Sequence, residues 1–95
     1  MTDATAHSVS TAPGVLALFS AEGRLPTIPR RAARREQLLT HLADTLFEPG
    51  RTYSEHEVND VLRTVHDDYP ALRRFLVEGG HLTRPRDGSS YHRAA

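Results

Sequence analysis

Three short runs of apolar residues at helical spacing, each closed by a Gly or Pro signal, constrain this chain more than any other feature. Leu38, Leu39, Leu42, Leu46 and Phe47 form the first run, and Pro49-Gly50 ends it. Val58, Val61, Leu62 and Val65 fall at i, i+3, i+4 and i+7 and define one stripe on a second helix. Ala71, Leu72, Phe75 and Leu76 supply the buried face of a third, which Gly79-Gly80 terminates through a left-handed C-cap. The chain has 95 residues, of which 38% are hydrophobic, and a mean hydropathy of -0.50. That leaves room for one small domain, in which every apolar position has to serve the core.

The start signals agree with the stops. Helix one is expected from Arg30, so that its first two turns carry Arg30, Arg31, Arg34 and Arg35 against the helix dipole. Ser54 followed three residues later by Glu57 is a capping box opening helix two. His66-Asp67-Asp68-Tyr69-Pro70 is the next stop and start, where an Asp caps and Pro70 suits a first helical turn. Arg51-Thr52-Tyr53 is long enough only for a bridging strand. Asp87-Gly88 lies between two short extended runs, His81–Arg84 and Ser89–Arg93, and signals a hairpin. Helix, short strand, helix, helix, hairpin is the order of a winged helix-turn-helix, a mainly α member of the α+β class, with the hairpin as wing.

Ahead of this unit, Val15, Leu16, Leu18 and Phe19 form a short helix or a strand expected to cover one end of the core. Arg24-Leu25-Pro26-Thr27-Ile28-Pro29 follows as an extended segment. Residues 1–14 are rich in Thr, Ser and Ala without periodicity and read as a disordered tail, residues 15–93 as the single domain, and residues 94–95 as a tail.

The absence of cysteine excludes disulfides, thiolate zinc sites and a cysteine nucleophile. No stretch approaches the ~20 apolar residues of a membrane span, and the N-terminus lacks a basic region leading into a hydrophobic run, so a soluble cytoplasmic protein without membrane contact is expected. The 12 basic residues are all arginine and balance 12 acids. Neutrality removes the simplest argument for nucleic-acid binding, a globally basic chain. The charges are nevertheless segregated. Arg24–Tyr53 holds six Arg against Glu36, Asp44 and Glu48; Ser54–Gly80 holds three Arg against six acids; His81–Ala95 holds three Arg against Asp87.

Several constellations follow from that distribution. Arg30, Arg31, Arg34 and Arg35 share helical faces, and a guanidinium can hold phosphate bidentately; the competing reading is a solvated helix end. Arg73 and Arg74 on helix three either face a base edge or phosphate or pair with Asp67, Asp68 or Glu78. Arg84, Arg86 and Arg93 belong to the wing. His66-Asp67-Asp68 invites a metal reading, but adjacent ligands at a helix end point apart and no H-x-x-x-H accompanies them, so capping is preferred and no metal or other cofactor is expected. Glu57 and Asn59 read as a capping residue and a local hydrogen bond. No nucleophile-base-acid order or Gly-rich phosphate loop can be assembled, and an enzyme is not expected.

The chain also resembles a known family, the bacterial domain of unknown function 2087. The resemblance runs from Leu18 to Arg93 and rests on Phe19 with Gly23-Arg24-Leu25, Ile28-Pro29, Phe47-Glu48, Tyr53-Ser54-Glu55, Glu57-Val58-Asn59, His66-Asp67-Asp68-Tyr69, Leu72-Arg73-Arg74, and Tyr91 with Arg93. It implies a winged-helix module, found alone or attached to helix-turn-helix regulators, with no established activity. Arginines stand in the basic run where the family often has lysines, and His92 stands where an aromatic is common.

Together these features lead to the expectation of a non-catalytic winged-helix module that binds double-stranded DNA or works within a transcription regulator. Arg73, Arg74, Arg84, Arg86 and Arg93, with Arg30, Arg31, Arg34 and Arg35, are its candidate contacts. The alternative is a protein-interaction module, a homodimer or a regulator partner, without DNA affinity.

Overall fold

Helix α1 spans Ala32–Leu46 and presents Leu38, Leu39, Leu42 and Ala43 to the interior. It starts later than expected from Arg30. Arg31 is the N-cap in extended conformation with no side-chain cap bond, so Arg30 and Arg31 precede the helix and only Arg34 and Arg35 lie in its opening turns. The extended lead-in set by Pro26 and Pro29 simply runs on to Arg31. The computed structural model describes residues 14–84 and 90–94; the expected N-terminal tail up to residue 13, the hairpin tip with Arg86 and Asp87-Gly88, and residue 95 lie outside them.

Phe47 caps α1 with its N–H on the Ala43 carbonyl, and Gly50, at φ 80°, lets Pro49-Gly50 turn the chain into strand β1, Thr52–Tyr53. Tyr53 is buried edge-on against Phe47, ring centroids 5.2 Å apart, and its hydroxyl accepts the Glu48 N–H at 2.8 Å. Helix α2, Glu55–Arg63, opens on the expected capping box: Ser54 Oγ accepts from Glu57 N–H at 3.0 Å, and Glu57 Oε1 accepts from Ser54 N–H at 2.8 Å. Val58 and Leu62 are fully buried. Val65, expected on the same helical stripe, is buried just past the helix end, where its carbonyl accepts the Leu25 N–H at 2.7 Å. That bond docks the N-terminal segment onto the turn between the second and third helices.

Helix α3, Tyr69–Glu78, is capped by Asp68, whose Oδ1 accepts from Ala71 N–H at 3.3 Å, and Pro70 sits in its first turn. Its end is a Schellman motif. His81 N–H reaches the Leu76 carbonyl at 2.8 Å and Gly80 N–H the Val77 carbonyl at 3.1 Å, with Gly80 at φ 80° as the left-handed residue. The chain then enters β2, Leu82–Thr83, and returns as β3, Tyr91–Arg93.

The three strands form an antiparallel sheet in the order β1-β3-β2, with Tyr53 opposite Tyr91 and Leu82 opposite Arg93. The central strand is therefore the last one, and the strand between the first two helices anchors the hairpin. Tyr91 and Leu82 turn inward and His92 outward. This is the mainly helical α+β fold expected, three helices and a C-terminal hairpin in winged-helix order. Leu38, Leu39, Leu42, Val58, Leu62, Leu72, Leu76, Leu82 and Tyr91 meet in one buried cluster. The ambiguous N-terminal cluster is a 3-10 turn over Leu16–Leu18; Leu18 and Phe19 pack against the core, Val15 is fully buried, and Leu16 stays 65% exposed.

Replacing Ser54 by Ala removes one half of a reciprocal cap and should lower unfolding free energy by about 1 kcal/mol. His56→Ala, on an exposed site of the same helix, should stay within about 0.5 kcal/mol. Urea titrations of both variants measure the difference.

Candidate nucleic-acid interface

The arginines separate into those that face carboxylates and those that do not. Arg24 bonds Asp67 Oδ1 at 2.5 Å and the Arg63 carbonyl at 3.0 Å. Arg51 lies 3.7 Å from Glu48 and 3.6 Å from Glu57, and Arg63 lies 2.9 Å from Asp60. Arg93 bonds Asp44 and donates to the Phe47 carbonyl at 3.4 Å. Among the described residues, Arg30, Arg31, Arg34, Arg35, Arg73, Arg74 and Arg84 make no ion pair with a carboxylate.

This sorting fixes where each candidate contact stands. Arg93 is not on the wing's outer surface: its half-buried guanidinium, 23% exposed against a 20% exposed Asp44, ties β3 to the end of α1. Arg35 folds back to the carbonyls of Pro29 at 3.4 Å and Arg30 at 3.0 Å and lies 4.6 Å over the Phe75 ring. Arg34 donates to the Gly14 carbonyl at 3.1 Å and to Gln37 at 3.5 Å. Both helix-start guanidiniums thus use the chain's own carbonyls to offset their unfavourable place on the dipole. Arg30 and Arg31 are exposed. Arg86 lies outside the described residues.

Arg73, Arg74 and Arg84 come together. They line a cleft of about 370 Å³ between α3 and the wing, shared with Pro70, Val77, Glu78 and Tyr91. The row at helical spacing, Pro70, Arg73, Arg74, Val77 and Glu78, is the α3 edge that faces the wing, while Leu72 and Leu76 hold the opposite edge in the core. Arg73 donates to Asn59 Oδ1 on α2, not to Asp67, Asp68 or Glu78. Asn59 is therefore an interhelical tether and not the local hydrogen bond expected. Its amide orients the guanidinium without cancelling the charge.

Tyr91 forms the floor. Its hydroxyl donates to Glu55 Oε1 at 2.9 Å. Burial first, then that hydrogen bond and the Glu55 charge, push its ionisation above the ordinary tyrosine range, while Arg84 and Arg73 pull it down. Both cations line the same cleft as Tyr91.

The acids of the helix-turn-helix segment are mostly engaged elsewhere. Asp60 pairs with Arg63 and His56, Asp67 with Arg24, Glu57 and Asp68 cap helices, and Glu55 accepts from Tyr91. Only Glu78 of those six lines the cleft. His66 Nδ1–H donates to the Leu25 carbonyl at 2.6 Å, so His66, Asp67 and Asp68 point to three separate partners, and Asp68 is the expected cap. The sequence reading missed Glu78 and Tyr91 as cleft residues. The i, i+4 spacing of Arg74 and Glu78 was the available signal for the first; nothing local signals the second, because the hairpin carries Tyr91 there.

The fold is that of a small, mainly helical α+β module with winged-helix element order, and none of its described helices is long and apolar enough to cross a membrane. Residues 24–93 match the family model described as an uncharacterized protein conserved in bacteria (DUF2087), and the chain belongs to that family. No curated protein and no solved structure gives a significant match.

Two measurements check the assigned contacts. Tyr91's raised ionisation contributes stability that is whole well below pH ~10, the ionisation midpoint of unfolded tyrosine, and is lost as pH rises through that midpoint to the folded value. Ultraviolet titration should therefore reveal a component ionising above the ordinary tyrosine range that Tyr91→Phe lacks. Arg93→Ala should cost about 2 kcal/mol, and Asp44→Ala should add little in that background, as a double-mutant cycle by denaturation reads.

Proposed function

We propose that this chain is a non-catalytic winged-helix module that binds double-stranded DNA through the α3–wing face, acting with or within a transcription regulator. The observation that carries the reading is the convergence of Arg73, Arg74 and Arg84 on one cleft, with no ion-paired carboxylate among the described residues. In a helix-turn-helix the second helix enters the major groove, and here that helix presents Arg73 and Arg74 on its free edge. Arg84 leads into the wing, and Arg86 follows two residues later. Guanidiniums in this setting hold phosphates bidentately, and their counterion release supplies salt-dependent affinity. Arg30 and Arg31, exposed before α1, are secondary candidates. Arg93 is left out because Asp44 already engages it.

A second reading is favoured by one observation. Exposed Leu16 rims an apolar cleft of about 270 Å³ with Phe19, His41, Leu42, Leu46 and Val65, a surface on which a second copy can dock.

Titration of a mixed-sequence duplex should give binding that weakens steeply as salt rises. Arg73→Ala and Arg84→Ala should each lower the slope of log K against log salt by about one. Absence of binding at low salt, together with a dimer by light scattering, would sink the DNA reading in favour of the second.

A further inference from the structure

Within the arginine cleft, Glu78 is the residue that phosphate binding does not explain. It is exposed, lines the same cleft as Arg73, Arg74 and Arg84, and stands one helical turn after Arg74. A carboxylate facing a lattice of phosphates repels it, so a surface built for phosphates alone is weakened by this side chain. Nor do Arg74 and Glu78 cancel each other: no ion pair joins them. The order of charges accounts for that in part, since a cation N-terminal to an anion at i, i+4 is the poorer orientation. Among the described residues Arg74 has no hydrogen-bond partner either, in contrast to Arg73 on Asn59. Among the described residues the α3 edge therefore offers one fork of donors and one acceptor, on consecutive turns, that engage no other group.

We propose that Arg74 and Glu78 are the specificity-determining pair of this face and read guanine and cytosine edges in the major groove, while Arg73 and Arg84 hold phosphates. This inference rests on the DNA reading above and deepens it. The match is one of donor and acceptor pattern. Guanine presents O6 and N7 as paired acceptors suited to an arginine fork, and cytosine presents an N4 amino donor suited to a carboxylate. Adenine N6 is the other major-groove donor, but it stands beside the N7 acceptor, which repels a carboxylate, so cytosine N4 is the better partner for Glu78, and an arginine fork finds its bidentate partner in guanine. Four residues of helix advance ~6 Å, which is about two base-pair steps at 3.4 Å each. The two side chains therefore address pairs about two steps apart, and the preferred duplex carries one G·C pair for Arg74 and a second, about two steps along, whose cytosine faces Glu78. Asn59 and Tyr91 contribute by position: Asn59 tethers the Arg73 guanidinium to α2, and Tyr91 lines the cleft beside the charged groups.

The experiment compares the full chain on duplexes of equal length and charge at fixed salt: one containing G·C steps, one of A·T alone, and one in which 7-deazaguanine removes guanine N7. The G·C duplex should bind about tenfold tighter than the A·T duplex, and the deaza duplex should lose much of that margin. Arg74→Ala should abolish the margin while A·T binding keeps most of its salt dependence. Glu78→Ala should tighten A·T binding, because a repulsive charge is gone, and narrow the ratio between duplexes. Both side chains are exposed, and far-ultraviolet circular dichroism checks that the variants fold. Equal, salt-dependent binding of all three duplexes overturns the specificity pair and leaves the DNA reading standing. A uniform gain for Glu78→Ala on every duplex, with the ratio unchanged, also overturns it, since Glu78 would then act only as a repelling charge. Binding to no duplex overturns both, and points to a protein partner for the same donor and acceptor pair.

Discussion

Burial of one leucine-rich cluster is the interaction on which every other feature of this domain depends. Leu38, Leu39 and Leu42 of α1, Val58 and Leu62 of α2, Leu72 and Leu76 of α3, and Leu82 and Tyr91 of the sheet are all within it. Helices of this length are marginal in water by themselves, and a fully buried leucine contributes roughly 2 kcal/mol, so no element can be removed without exposing faces of the others. With so few apolar side chains, the core also has little tolerance for helices that overrun. The capping box at Ser54, the Asp68 cap and the Schellman motif at Gly80 end or begin helices where the apolar stripe does. That termination sets the direction of the wing. Two residues past Gly80 the chain is already Leu82 of β2, and the hairpin is delivered beside α3 and nowhere else.

The absence of lysine has a structural counterpart. A guanidinium carries five donors in a rigid fork, whereas an ammonium is a point charge. Arg24 uses the fork to join a backbone carbonyl of α2 and a carboxylate beyond it, Arg93 to join β3 to both Asp44 and the Phe47 carbonyl, and Arg35 to close the lead-in onto α1 while covering Phe75. Each of these joins segments that no continuous helix or ladder connects. Lysines could supply the charge at these positions but not a rigid fork with separate nitrogens for the two partners. The arginines thus include fasteners such as Arg24, Arg35 and Arg93, whose charge or donors are consumed within the fold, and exposed ones such as Arg74 and Arg84, while Arg73 is tethered to Asn59 and still lines the same cleft.

Most of the fold was legible because its signals are local. The capping box, the Asp and Pro at the start of α3, the paired glycines at its end and the stripes of Leu and Val are readable without knowing what they pack against. The start of α1 was misplaced because a run of arginines has good helix propensity and no N-cap signal; the extended lead-in after Pro29 decided the boundary instead. The site was legible in part. Arg73, Arg74 and Arg84 were named from type and position, but Arg93 was grouped with them because it stands on the wing, and its attachment to Asp44 crosses from β3 to α1. Likewise the Asn59–Arg73 bond joins two helices whose facing edges depend on the core. Contacts of that kind are set by packing, and no spacing along the chain encodes them.

The same distinction settles what net neutrality means here. Screening at physiological ionic strength limits the reach of a surface charge to about 8 Å, so a charge balanced on the far side of the domain scarcely alters the potential at the α3–wing cleft. Asp44, Asp60 and Asp67 are each spent against an arginine of their own, Arg93, Arg63 and Arg24. Counting the helix-turn-helix segment as acidic is correct for its sequence and incomplete for its exposed cleft, where three guanidiniums share the lining with one carboxylate, Glu78, while Glu55 is spent on the Tyr91 hydroxyl. A neutral chain can therefore carry an anion-binding face when its acids are also its fasteners. What remains at the surface is then set less by composition than by which carboxylates the fold has already used.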